Sequence, residues 1–450
     1  MNTPICDFVD RYAASAPVRL HMPGHKGTGP LGCESRDLTE LDGADDLYHP
    51  RGVIRESERN AASLFGTGET LYSTEGSSQC IRAMLYLAVL AFQEKHPGER
   101  PAVLAGRNAH KAFLTAAALL DFDIVWLCPE NREYSLCRCA FGREQLETLL
   151  RQTPHAAAVY LTSPDYLGHT AAVAPLAAVA RQWGVPLLVD NAHGAYLGFL
   201  SPSRHPIAQG ADLCCDSAHK TLPVLTGGAY LHLAAEAPAG FFSHAREAMA
   251  LFGSTSPSYL ILQSLDQANR ALAGDYPQRL AEAVCQLDGL KRRLGRQGWG
   301  FTGDEPLKLT LDTRSFGYTG GELAALLKKR QIYCEYADPD YLVLMPGPGN
   351  LPALDALEKA LAGIEKRPAL PPPELPPFRR PERRMSLRQA LFLPSQPVPV
   401  QEAVGRTAAS LAVSCPPAVC PVAPGEVVSE EAVQVCQYYG IEKLSVLKAF

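Results

Sequence analysis

Leu187-Leu188-Val189-Asp190-Asn191-Ala192-His193-Gly194-Ala195 and, further along, Asp212-Leu213-Cys214-Cys215-Asp216-Ser217-Ala218-His219-Lys220-Thr221 decide the fold. Each contains a short apolar run that breaks off at an aspartate followed by small residues. Such a run, bounded by turn formers, reads as a strand buried on both faces, as in a parallel sheet covered by helices. Reactive groups in a sheet of that kind collect just past the carboxyl ends of the strands.

The same alternation extends outward from these two stretches, from about Tyr72 to Leu233. Strands are predicted at Ala102–Ala105, Ile124–Cys128, Ala157–Leu161, Leu187–Asp190, Asp212–Cys215 and Ala229–His232. Between them, Cys80–Gln93, Ala109–Leu120, Arg143–Arg151 and Ala172–Trp183 carry helical periodicity. Strand then helix, repeated, predicts an α/β class with a mostly parallel sheet covered by helices. Past Leu272 the pattern changes. Helices at Gln278–Gln297, Gly320–Arg330 and Leu351–Lys366, with strands at Leu307–Asp312 and Tyr341–Met345, predict a smaller α+β unit. Arg367–Glu382 holds seven prolines and reads as an extended, semi-rigid connection. The expected division is a large domain over 1–272, a small α+β domain over 273–366, a linker over 367–382 and a C-terminal domain over 383–450.

Composition narrows the function. The chain has 450 residues, 46% hydrophobic and 20% charged, with a net charge of -5 and no cationic block. That excludes a nucleic-acid surface, which needs clustered cations to neutralise phosphates. The first residues carry Asp7, Asp10 and Arg11 without the apolar core of a signal peptide. The longest apolar stretch, Ile81–Phe92, is interrupted by Arg82 and falls short of the ~20 residues a bilayer requires. A soluble, cytoplasmic protein is expected. Its thirteen cysteines are irregularly spaced, and neither Cys137 with Cys139 nor Cys214 with Cys215 has zinc-ligand spacing. They read as reduced thiols, and no metal is expected.

Four segments carry chemistry. Lys220, just beyond a buried strand, is costly there unless it is neutral, paired or covalently used; the plain alternative is a lysine reaching solvent from a strand end. Asp190 ends the other decisive strand. A cofactor with a pyridine ring needs an anion at its ring nitrogen to stay protonated and act as an electron sink. The alternative for Asp190 is a turn former or helix cap. Gly76, Ser77 and Ser78, in Ser73–Gln79, open a helix with backbone N–H groups and hydroxyls suited to a phosphate, or form an ordinary helix cap. His110, in Arg107–Lys111, can lie flat on a ring or simply cap a helix. Phosphate turn, histidine, aspartate and lysine follow one another in an order that resembles the fold-type-I pyridoxal-phosphate superfamily.

Further motifs make the resemblance more specific. His21-Met22-Pro23-Gly24-His25-Lys26-Gly27, Asp37–Leu41, Asp45-Asp46-Leu47 and Pro50-Arg51-Gly52-Val53-Ile54 are similar to the opening of the ornithine/lysine/arginine decarboxylase family. Ala390-Leu391-Phe392, Glu402–Arg406, Pro416-Pro417 and Pro424-Gly425-Glu426 continue the likeness, so it covers nearly the whole chain. The extra N-terminal domain of the long bacterial members has no counterpart here, which points to the short form.

The resemblance implies pyridoxal 5'-phosphate carried as a Schiff base on Lys220, with Asp190 at the ring nitrogen and His110 stacked on the ring. Ala192 would lie on the opposite face, His193 beside the ring, and Gly76, Ser77 and Ser78 near the phosphate, with Ser217 and His219 completing the surroundings. Lys220, His219 and Asp190 are the expected catalytic residues. Ser254 and Thr255, in Ser254–Tyr259, resemble the family loop that reaches the neighbouring protomer's phosphate, which implies a homodimer or larger homo-oligomer. Glu426 is the first candidate for the substrate's distal cation, with Asp45 and Asp46 behind it.

The sequence departs from the family's common DEAHGAH run at Asn191 and Tyr196, at Glu75, Gln79 and Cys80 in the phosphate turn, at Thr226-Gly227-Gly228, and at Cys415 and Cys420. The expected activity is decarboxylation of lysine, arginine or ornithine. Two competing readings stand beside it: another pyridoxal-phosphate activity (an aminotransferase or carbon–sulfur lyase), and a cofactor-binding scaffold or regulator with little turnover.

Overall fold

The computed structural model describes residues 1–129, 135–377, 379–411 and 417–448. In chain order the first elements are α1 (Pro4–Ala14), α2 (Val53–Phe65), β1 (Glu69–Ser73) and α3 (Ser77–Lys95). Next come β2 (Ala102–Gly106), α4 (Lys111–Leu120), β3 (Asp123–Leu127), α5 (Arg143–Gln152), β4 (Ala156–Thr162) and α6 (Val173–Gln182). The reactive half follows with β5 (Leu187–Asp190), β6 (Leu213–Asp216), the one-turn α7 (Ala218–Thr221), β7 (Ala229–Leu233), α8 (Ala239–Leu251) and α9 (Tyr259–Ala273). The remainder holds α10 (Tyr276–Arg296), β8 (Gly300–Thr302), β9 (Leu309–Asp312), α11 (Gly320–Lys328), β10 (Tyr336–Ala337), β11 (Tyr341–Leu344) and α12 (Pro352–Ala362). Last are α13 (Leu387–Phe392), β12 (Ser395–Pro399), α14 (Glu430–Tyr438) and β13 (Lys443–Leu447).

The strands of the main sheet run in the order β1-β7-β6-β5-β4-β2-β3. β5 pairs with β6, and β2 with β3, in parallel, whereas β7 is antiparallel to both β6 and β1. β5 and β6 are buried at every residue, which is why they read as unbroken apolar runs rather than alternating ones. Two antiparallel sheets follow: β10-β11-β9-β8, and the pair β12-β13.

Contacts group the chain into two compact units that interleave along the sequence. The first comprises Met1–Glu99, Ala157–Tyr160 and Val173–Gln278; the second comprises Arg100–Ala156, Leu161–Ala172 and Arg279–Phe450. A contiguous division at 272, 366 and 382 therefore follows the elements along the chain, not the grouping of contacts. In the first unit, α1 and α2 are held by buried polar groups of α9. Asp45 anchors the start of α2: its carboxylate accepts N–H groups from Arg51, Gly52, Ile54 and Arg55, at 2.8 to 3.4 Å. In the second unit, Leu287, Leu290 and Leu294 of α10 pack with Leu309, Leu311, Leu342 and the apolar face of α12 into one core. Val398, Val400, Val422, Val428, Val433 and Val446 form a separate small core near the C-terminus. Between α12 and α13 the proline-rich stretch contains no helix among its described residues. No helix among the described residues is long and apolar enough to cross a membrane.

Candidate active site

The first unit brings most of the expected residues together at neighbouring strand ends. β5 ends at Asp190 and β6 at Asp216, and the parallel pairing sets Asp190 opposite Cys215. Ser217 then turns the chain into α7, which carries His219 and Lys220. The Lys220 amine lies 3.0 Å from Nε2 of His193, whose ring comes from the tight turn after Asp190 and is 5% exposed.

Asp190 is buried, and burial pushes its carboxyl above the ordinary aspartate range, while Lys220 and a hydrogen bond from Tyr160 pull it back. The Tyr160 hydroxyl donates to Oδ2 at 3.0 Å, and the Ala192 N–H to Oδ1 at 3.2 Å. Such a carboxylate gains most from a partner that brings a positive N–H into the same dry space. Tyr160 lies on β4, and no local motif marks it; only the strand order carries it to Asp190.

The turn expected to face a phosphate is built around glycine. Gly76 adopts φ +72°, and a Cβ added there meets nothing within 4 Å, so the space over the start of α3 is open. Ser217 Oγ donates to Ser77 Oγ at 2.7 Å, joining the hydroxyls of the two segments expected around a phosphate. Ser78 is half-buried beside it. The Gly76 N–H donates to the Gly227 carbonyl at 2.8 Å. Gly227 has φ +99°, and a Cβ there would lie 2.9 Å from the Thr74 carbonyl oxygen, so Thr226-Gly227-Gly228 is shaped to receive this turn.

Two departures in the turn hold neighbouring segments. Glu75 Oε1 accepts the Ser254 N–H at 3.1 Å. Gln79 is fully buried and donates to the Met249 carbonyl at 2.7 Å and to the Tyr48 hydroxyl at 3.1 Å. Ser254 and Thr255 themselves are exposed. His219 points its Nδ1 at the Gly228 carbonyl, 3.0 Å away, so Nδ1 carries the proton. Burial lowers the pKa of that ring, opposed by the same hydrogen bond.

His110 and Glu426 belong to the second unit. His110 caps α4, its Nδ1 accepting the Ala112 N–H at 3.1 Å. Glu426 is 4% exposed, and both its oxygens are engaged. Arg107 Nη1 and Nη2 reach Oε1 and Oε2 at 2.8 and 2.7 Å, Trp126 Nε1 donates to Oε1 at 2.9 Å, and the Ala423 N–H to Oε2 at 2.6 Å. A substrate's distal cation would have to displace Arg107 from this carboxylate. Asp45 is likewise occupied, by the start of α2. Asp46 accepts the Tyr48 N–H at 2.9 Å and faces His49 at 3.2 Å. Cys415 and Pro416 lie outside the described residues.

The donor set fits pyridoxal phosphate: a lysine amine able to form a covalent link, a buried carboxylate for a ring N–H, and hydroxyls at an open helix start. The fold agrees. A lysine decarboxylase from Francisella novicida superposes with a TM-score of 0.79 at 15% identity, over 99% of this chain and 81% of that one. The architecture is thus the one seen in that lysine decarboxylase. Among curated sequences, the uncharacterized protein YaaO of Bacillus subtilis is 29% identical over 96% of this chain and 93% of its own length. An arginine decarboxylase of the same organism is 28% identical over 96% and 92%. Residues 3–303 match the family described as Orn/Lys/Arg decarboxylase, major domain, and residues 386–445 match its C-terminal domain. The chain belongs to the Orn/Lys/Arg decarboxylase family, and it is a pyridoxal-phosphate-dependent decarboxylase of basic amino acids.

Proposed function

We propose that the chain removes the α-carboxylate of arginine in preference to lysine and ornithine, with Lys220 and Asp190 as its central pair. The observation that supports this role for the pair is its placement: Asp190 ends β5, and Lys220 lies on the short helix that follows the adjacent parallel strand β6, beside a glycine-opened helix start. Arginine is put first because arginine decarboxylases are among the relatives matched over almost their full length.

Bound pyridoxal phosphate supplies a ring that accepts the electron pair released when the bond from Cα to the carboxylate breaks. Asp190 holds a proton at the ring nitrogen, and Tyr160 fixes the orientation of its carboxylate. Ser77, Ser217 and the first N–H groups of α3 bind the phosphate oxygens, with Ser78 beside them. Lys220 holds the cofactor covalently and, once freed, returns a proton to Cα. His193, at hydrogen-bond distance from Nζ, takes up and gives back the lysine proton. His219, tied to Gly228, orients α7. Ala192 is assigned to one face of the ring. Ser254 and Thr255 are assigned to the phosphate of a second protomer, which makes a homodimer the working unit.

The test is product analysis with the reconstituted protein. Arginine, lysine and ornithine are supplied separately, and carbon dioxide and the matching amine are measured. The protein should be yellow, borohydride should bleach it while adding mass at Lys220, and Lys220→Ala should lose both the link and the product. Keto acid in place of amine would indicate an aminotransferase, and no turnover of any of the three a scaffold.

A further inference from the structure

β6 ends in a carboxylate that the chemistry above does not use. Asp216 is 0% exposed, and among the described residues its carboxylate is met by N–H groups and a thiol. His205 Nε2 and His232 Nε2 both reach its Oδ2, at 3.1 and 3.2 Å, and Asn191 Nδ2 donates to its Oδ1 at 2.7 Å. Burial by itself would raise this carboxyl, but the two histidines outweigh it and hold Asp216 well below the usual aspartate range. Cys80, Cys214, Cys215 and Tyr230, titratable groups in its field, are kept protonated by burial. A charged carboxylate therefore sits inside the sheet, next to the segment that carries Lys220.

The two histidines and Asp216 also have the composition of a metal site, with donor atoms within 4.8 Å of one another. The hydrogen bonds argue against that use. The Ile207 N–H points at His205 Nδ1 from 3.4 Å, which leaves the ring proton on Nε2, facing Asp216. A ring nitrogen that carries a proton has no lone pair for a metal.

The place of the cluster is what gives it a task. Asn191 directly follows Asp190, and Asp216 directly precedes Ser217, which touches Ser77. The Asn191 N–H donates to the Cys215 carbonyl at 2.9 Å, so backbone and side chain together tie the turn of Asp190 to the strand end that leads into Lys220. A carboxylate at position 191, as in the family's common run, would face Asp216 with a second buried charge and no proton between them.

We infer that Asn191 and Asp216 form a matched amide–carboxylate clamp, with Asp216 as a positioning residue that sets Asp190 against Lys220. The inference rests on the roles assigned to those two residues above, but part of its test does not. The cycle comprises Asn191→Asp, Asp216→Asn and the double exchange. Asn191→Asp sets two carboxylates against each other and should lower the melting temperature of the cofactor-free protein by several degrees and weaken cofactor binding at least tenfold. The double exchange restores one amide and one carboxylate and should recover more than half of both losses. Asp216→Asn alone removes an anion from the neighbourhood of Lys220. The pH at which the lysine-linked chromophore loses its proton should then fall by roughly half a unit, a change that a purely structural residue does not produce.

The clamp is overturned if the double exchange is no better than Asn191→Asp, or if Asn191→Asp melts like the wild type. It is also overturned if the purified protein holds stoichiometric metal that Asp216→Asn loses. Should the wild type never form the lysine-linked chromophore, the functional reading fails, while the melting temperatures of the cofactor-free proteins still decide the clamp.

Discussion

Asp190 and Tyr160 show what a single contact is expected to contribute. The tyrosine donates to a carboxylate with little other solvation, and hydrogen bonds to charged groups contribute about 1.5–3 kcal/mol. Tyr160→Phe should therefore reduce kcat/KM by roughly tenfold to a hundredfold, with weaker cofactor binding, while the lysine-linked chromophore still forms. Steady-state kinetics and cofactor titration measure this; an unchanged kcat/KM would remove Tyr160 from the site. The placement of Asp190 at the end of a buried strand and of Lys220 just past the next one was legible in the sequence, because each is an expensive residue beside an apolar run. Tyr160 was not, since its own strand looks like any other and its role depends on which strand lies beside it. Asp216 was equally hidden. Its meaning comes from His205 and His232, which converge on it through a loop and a neighbouring strand. Glu426 shows the same limit: a motif says that a carboxylate is needed, and only packing says that Arg107 is its partner.

Elements were read more accurately than contacts. The predicted Leu187–Asp190 strand coincides with β5, and Ala102–Ala105, Ile124–Cys128 and Ala229–His232 each lie within a residue of β2, β3 and β7. Strand direction was not readable: β7 has the same apolar character as the parallel pair β5 and β6 and runs the other way. β1 and α2 were missed because Glu69–Ser73 and Val53–Phe65 are too polar to signal burial, and their polar groups are satisfied by distant ones. Asp266 of α9 shows how. Its Oδ2 accepts the Cys6 N–H of α1 at 3.0 Å, and its Oδ1 the Ser57 hydroxyl of α2 at 2.6 Å. Burial pushes this carboxyl up to about 6, against the lowering effect of those hydrogen bonds. The unfolded value is near ~3.9, so the folded protein binds the extra proton between pH 4 and 6. Asp266 thus favours folding in its protonated form, and that stability is lost as pH rises through about 6. Relative to Asp266→Asn, which cannot titrate, the wild type should lose about 2–3 kcal/mol of unfolding free energy between pH 4 and pH 7. Urea unfolding at the two pH values checks this, and any constant offset from the amide cancels. A pH-independent difference would show that Asp266 titrates normally.

At the scale of the whole molecule, the chain crosses between its two compact units several times, so neither unit is a contiguous piece of sequence. The assembly assigned to it is a dimer, and sedimentation at falling concentration should show activity declining as monomer forms; a fully active monomer would exclude the role given to Ser254 and Thr255. The second unit has its own long-range link, and Glu426 is its centre. The glutamate joins the C-terminal region to the end of β2 through Arg107, whose guanidinium also donates to the Pro421 carbonyl at 2.9 Å and lies 4.5 Å over the Trp126 ring. Removing one member of a buried ion pair strands the other, at a cost of about 3–5 kcal/mol. Glu426→Gln should thus lower the melting temperature by on the order of 10 °C and reduce activity toward arginine, lysine and ornithine by similar factors. Adding Arg107→Met to it should restore much of the stability, because the stranded charge is then gone while the amide oxygen still accepts from Trp126 or Ala423. Were Glu426 instead the contact for a substrate's distal cation, Glu426→Gln would leave the melting temperature unchanged and raise KM selectively. Arg107→Met would then have no stability to restore. Melting curves for the single and double variants, with KM for the three amino acids, separate a glutamate that fastens the C-terminal region from one that reads the substrate.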